Sequence, residues 1–92
     1  MKKTIYFILL VLAYSVGFAQ SAKEFYNSAN IKLDKGQYKA AIKDYDDSID
    51  LDETFPNAYY NRAVAKNSIK DYKGALVDYS KAIELDPENV MA

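Results

Sequence analysis

The sequence predicts an all-α protein: two helix-turn-helix hairpins stacked one on the next, preceded by an N-terminal leader helix. Three observations carry this. The chain matches itself when slid by 34 residues. Within each copy, apolar residues recur at the spacing of a single helical face. Turn-forming residues stand between those faces and not inside them.

The leader opens with a short positive region, Lys2 and Lys3. An almost wholly apolar run follows from Ile5 to Val16, and Gly17-Phe18-Ala19 then places small residues where a signal peptidase reads them. That three-part order is a secretory signal peptide, expected over residues 1–19 with cleavage after Ala19. The alternative, an uncleaved anchor, is disfavoured because a spanning helix needs about 20 apolar residues. Nothing after the leader is apolar enough to enter a bilayer, so no stable membrane anchor is expected once it is removed. The chain is therefore read as exported, to a periplasm or beyond the cell. Loss of Lys2 and Lys3 would take the formal charge two units below the −1 of the whole chain.

The repeat begins after the leader. Tyr26 falls on Tyr60, Asn27 on Asn61, Ala29 on Ala63 and Lys32 on Lys66. Tyr38-Lys39 falls on Tyr72-Lys73, Ala41 on Ala75, Asp44-Tyr45 on Asp78-Tyr79, Ile49 on Ile83 and Leu51-Asp52 on Leu85-Asp86. About a third of positions are identical with no gap, which sets the units at residues 20–55 (core 22–55) and 56–89. Residues 90–92 read as the opening of a third.

Each unit divides into two helices. Ser21-Ala22-Lys23-Glu24 has the S-x-x-E form of a capping box and starts the first, on which Phe25, Ala29 and Leu33 share a face. Gly36 ends it in a left-handed C-cap. Tyr38, Ala41, Ile42, Tyr45 and Ile49 then draw one stripe along the second helix. Pro56 suits the first turn of the third helix, where Tyr59, Ala63 and the stem of Lys66 share a face. Asp71 caps the fourth, whose stripe is Tyr72, Ala75, Leu76, Tyr79, Ala82 and Ile83. Pro87 stops it by disfavouring helical backbone at Asp86.

Composition removes whole classes of function. There is no His and no Cys, so the commonest general base, the best nucleophile and the usual transition-metal ligands are missing, along with disulfides and a lipoprotein anchor. Twelve basic residues against 13 acidic ones give no clustered positive field for a nucleic acid. The acidic run Asp44, Asp46, Asp47, Asp50, Asp52, Glu53 fails as a calcium loop, since counting from Asp44 puts Ile49 at the sixth position and Phe55 at the twelfth, where Gly and Glu are required. A solvated helix face is the favoured reading of that run. Aspartates on such a face lack the burial that would separate their pKa values for acid–base work. No enzyme, cofactor or metal is expected.

At these residues the chain resembles the tetratricopeptide repeat (TPR) family, whose pattern over 34 residues is an aromatic, Leu-Gly, Tyr, Ala, aromatic, Ala and Pro. In the second unit Tyr59, Ala63, Ala75, Tyr79, Ala82 and Pro87 fill the aromatic, small and Pro slots. Phe25, Ala29, Ala41, Tyr45 and Ser48 do so in the first. The resemblance implies hairpins stacked as the start of a right-handed α-solenoid. Ala29 against Ala41, and Ala63 against Ala75, would let paired helices approach closely. Ser48 and Ala82 would do this between one hairpin and the next. There are departures. Ser28 and Arg62 stand where the pattern has Leu, Lys32 and Lys66 where it has Tyr, and Glu53 where it closes on Pro. They are expected to thin the core of each first helix.

The resemblance also implies where function sits. First helices of each pair line a concave face that holds a peptide or partner helix. The matching residues are Lys23, Tyr26, Asn30, Leu33 and Asp34 from the first unit, and Asn57, Tyr60, Asn61, Val64 and Asn67 from the second. One subfamily clamps a C-terminal carboxylate with Lys and Asn, and Asn30 and Asn61 occupy its Asn places. Its first Lys slot is Tyr26, however, so that clamp is not expected. Asn61, like Asn27, is read instead as bonding neighbouring backbone.

The function expected is an exported scaffold that binds a protein or peptide of the cell envelope. Two alternatives remain: the regulatory arm of a longer enzyme, and a repeat that assembles with itself through the stripe on the fourth helix.

Overall fold

The computed structural model describes residues 22–88. The leader at 1–19, the Ser21 half of the capping box and residues 89–92 lie outside the described residues. Four helices follow in order: α1 over residues 22–34, α2 Tyr38–Leu51, α3 Pro56–Ser68 and α4 Tyr72–Leu85. No strand occurs among the described residues.

The turns inside the two hairpins are built alike. After α1, Gly36 takes φ 76°, its N–H donates to Leu33 O (3.0 Å) and Gln37 N–H reaches back to Lys32 O (2.8 Å). That is a Schellman motif. After α3 the same two bonds recur, from Lys70 to Asn67 O (3.0 Å) and from Asp71 to Lys66 O (2.8 Å), with Lys70 at φ 67°. Between the hairpins, Asp52 Oδ1 accepts from both Thr54 N–H (3.0 Å) and the Thr54 hydroxyl (2.7 Å). Phe55 is extended, as the residue before a proline must be, and Pro56 opens α3.

Small residues bring the helices together. Ala29 of α1, Ala41 and Tyr45 of α2 form one fully buried cluster, flanked by Tyr26 and Leu33. A second joins Ile49 of α2, Ala58 and Tyr59 of α3 and Ala82 of α4, flanked by Tyr26, Phe55 and Leu85. Ile49 is thus covered by α3, which lies between α2 and α4. Ser48, the small residue expected at the hairpin-to-hairpin contact, is 1% exposed. Its hydroxyl donates to Ala22 O (2.8 Å) and closes its own hairpin.

The fourth helix keeps its inner side buried at Ala75, Asp78 and Ala82. Tyr79 of its expected stripe is half-buried and the rest is open: Tyr72 is 62%, Leu76 67% and Ile83 42% exposed, against 7% for Ile49 at the matching place in α2. Ile49 has α3 over it; no described helix lies over Ile83.

Candidate functional site

The α1–α3 face is tied together by amides and phenols. Asn61 Nδ2 of α3 donates to Asn30 Oδ1 (3.0 Å) and Tyr26 Oη (3.2 Å) of α1. From beneath, the Tyr45 hydroxyl donates to the same Asn30 oxygen. Burial first, and then the neighbouring Tyr26 phenol, push the Tyr45 hydroxyl above its ordinary pKa against the opposing hydrogen bond of Asn61, so it stays a donor. The Tyr26 ring stands edge-on to Phe55 (4.7 Å between centroids) and tilted to Tyr45 (6.1 Å). The matching pair Tyr60 and Tyr79 meets edge-on at 5.3 Å. Tyr60 and Tyr79 hold the second unit's ring pair in the place that Tyr26 and Tyr45 hold in the first.

Of the residues expected on this face, Tyr26, Asn30 and Asn61 are thus bonded into one cluster. Leu33 is half-buried against the first core cluster, and Val64 is half-buried on α3. Lys23, Asn57, Tyr60 and Asn67 are exposed, as is Asp34. A cleft of about 610 Å³ opens beside the start of α1, lined by Lys23, Tyr26, Asp52 and Phe55 among others. The reading of Asn61 as a residue that bonds only neighbouring backbone is corrected here: both its N–H groups go to side chains of the other hairpin, because α1 and α3 lie side by side.

A second polar layer lies inside each hairpin. Asp44, on the inner side of α2 beside Ala41 and Tyr45, accepts from Lys32 Nζ (2.7 Å) and Ser28 Oγ (2.7 Å). Burial works to raise its pKa, but the hydrogen bonds from Lys32 and Ser28 and the charges of Lys32 and Lys43 outweigh it and hold the carboxyl below the ordinary value. In the second hairpin Arg62 clasps Asp78 with two parallel bonds (2.8 and 2.7 Å), and Lys66 adds a third at 2.9 Å. Arg62 also reaches Asp46 of α2 (2.8 Å) and lies over the Tyr59 ring at 5.6 Å. Asp44 and Asp78 are therefore not on a solvated face. Ser28, Arg62, Lys32 and Lys66 do not merely thin the core either; Ser28 donates to the buried Asp44 as a neutral hydroxyl, and the three cations match the charge of Asp44 and Asp78. Among the described residues no buried side-chain polar atom lacks a hydrogen-bond partner.

The profile described as "Tetratricopeptide repeat" matches residues 56–89, and that described as "TPR repeat" matches residues 29–67. The chain belongs to the tetratricopeptide repeat family. No curated protein matches it.

TPR units generally mediate protein–protein interaction and are typically non-catalytic scaffolds. In this TPR protein the described residues hold no group of three or more His, Cys, Asp or Glu placed to grip a metal ion. No helix among them is long and apolar enough to cross a membrane. The buried charges are what sequence reasoning missed. Their signal was there: Lys32 and Asp44 recur as Lys66 and Asp78, with the same spacing in both units. Asp44 and Asp78 each stand three residues after a core alanine, Ala41 and Ala75, and so share its helical face.

Proposed function

We propose that this TPR protein is an exported scaffold that holds a protein partner on the concave face formed by α1 and α3. One observation carries the reading: the bonds from Asn61 to Asn30 and Tyr26 join the two hairpins into a single surface of amides and aromatic edges. Such a surface offers hydrogen bonds and flat apolar area and carries little net charge. Export rests on the leader pattern at 1–19 and is checked by mass spectrometry of the chain recovered from the envelope, which should begin at Gln20. An N-terminal Met on that material would remove the cleavage after Ala19, and a chain found only outside the envelope fraction, with its Met, would remove the export half of the proposal.

The binding half is tested by capture from the producing cell's envelope, with the wild-type chain beside an Asn30→Ala/Asn61→Ala variant whose helical signal is unchanged. Partners should be enriched on the wild type and lost from the variant. An identical set on both would place the binding surface elsewhere.

A further inference from the structure

The junction between the two hairpins fixes how one repeat seats on the next. Ile49 of α2 packs with Ala58 and Tyr59 of α3, and Asp46 of α2 accepts from Arg62 of α3 at 2.8 Å. The two helices therefore run antiparallel, and one turn beyond these pairs Ala65 stands opposite Ile42. Ala58, Arg62 and Ala65 follow one another along the same side of α3, and both alanines are fully buried. By the 34-residue repeat, α4 takes the place of α2 and α1 takes the place of α3. The matching sides of these two helices are open. Leu76, in the place of Ile42, is 67% exposed, and Ile31, in the place of the buried Ala65, is 57% exposed.

We infer that a second copy of this chain seats its α1 on α4, head to tail, in the register by which α3 sits on α2. Ile31 of the second copy then lies opposite Leu76. Its Asn27, in the place of Asn61, faces Tyr60, in the place of Tyr26. The charged pair Asp46 and Arg62 becomes Ser80 and Ser28, so the middle of the contact buries no new charge. Glu24 replaces Ala58 beside Ile83, and a carboxylate there keeps the contact weak and reversible. Ile31 is what singles out the occupant. A further segment of one chain laid on α4 would leave Ile31 open, whereas a second copy covers Ile31 and Leu76 in a single contact. Such a contact is heterologous: every added copy presents a fresh α4, so assembly continues past a dimer. The inference holds whatever the α1–α3 face binds.

The chain is purified from the producing cell, weighed by mass spectrometry and followed by sedimentation from about 10 µM to about 1 mM. Its average mass should rise with concentration and pass that of a dimer. Ile31→Glu and Leu76→Glu change exposed residues, so each should keep the helical signal, and each should weaken association about tenfold or more. Mixed together, the two variants should form a one-to-one pair that grows no further, because one keeps a sound α4 and the other a sound α1. Glu24→Ala restores the residue of the first junction and should tighten association about threefold or more. A chain that stays monomeric throughout would overturn the inference. If that monomer also outweighs the 92 residues, its added segment is what covers α4. Association lost in Leu76→Glu but kept in Ile31→Glu would mean that two α4 surfaces meet each other, which also overturns it. So would a mixture of the two variants that stays apart, or a looser contact in Glu24→Ala.

Discussion

Arg62 and Asp78 form a two-bond clasp inside the second hairpin, and the side chain of Asp78 is only 3% exposed. A carboxylate so far from water is tolerable only while its partners stay. Arg62→Ala would leave Lys66 as its remaining cation and free Asp46 of α2, so both the hairpin and its junction with the first should weaken. The expected loss is about 2–3 kcal/mol, read from urea unfolding. Arg62→Met with Asp78→Leu should lose clearly less than the two single changes added together, because the orphaned charge is removed with its partner. Equal, additive losses would mean the clasp is not one unit.

Asp44 makes a related prediction with a pH axis. Its pKa is lowered in the folded protein, so it stabilises the fold above the ordinary carboxyl value of 3.8, and that contribution is lost as pH falls through the lower folded value. Asp44→Asn removes the titrating group. At pH 7 the variant should be less stable by about 1–2 kcal/mol. The gap should close as the solution is acidified below pH 4 or so. A gap constant from pH 7 to pH 3 would mean that the Asp44 charge, as distinct from its shape, contributes nothing.

The helices, their turns and their alanine contacts were legible because each leaves a local trace: a period, a Gly or Pro, a repeated small residue. Gly36, Pro56 and Asp71 all act as their residue types require. The charged layer was not legible by the same rules. Lys32, Asp44, Lys66 and Asp78 lie in different helices, and only the packed hairpin shows that each finds a partner. The face was half legible. Asn30 and Asn61 were placed on it by resemblance, but the bond that makes them a pair depends on the angle between hairpins, which no local pattern encodes. Ile49 and Ile83 show the converse: identical residues in identical stripes, one covered and one open, since burial belongs to the neighbour and not to the stripe.

Gly36 and Lys70 hold the same place in their units and the same left-handed backbone, with φ 76° and 67°. Only Gly does so without a Cβ penalty. A Cβ on Gly36 would meet nothing nearer than Tyr38 Oη at 4.0 Å, so the obstacle there is backbone strain and not space. Gly36→Ala should therefore destabilise by about 1 kcal/mol, and Lys70→Gly should stabilise by up to about 1 kcal/mol. Thermal unfolding of the two variants checks both signs. A stabilising Gly36→Ala would contradict the shared turn.

Asp71 and Gly74 are coupled, and the first unit shows why. There the matching residues are Gln37, which makes no side-chain cap, and Ala40. In the second unit Asp71 Oδ1 accepts from Gly74 N–H at 3.0 Å, and a Cβ on Gly74 would lie 2.3 Å from Asp71 Oδ2. In an exposed helix Gly→Ala ordinarily stabilises by about 1 kcal/mol. Here the added methyl would drive the carboxylate out of its cap, whose loss costs about 1 kcal/mol. Gly74→Ala alone should therefore yield little or no stability. In the Asp71→Ala background, with nothing left to displace, the same change should recover the full helical gain. Measured by urea unfolding, the cycle should show a coupling of about 1 kcal/mol. If Gly74→Ala stabilised equally in both backgrounds, the carboxylate would have to be capping α4 from a position the methyl does not reach.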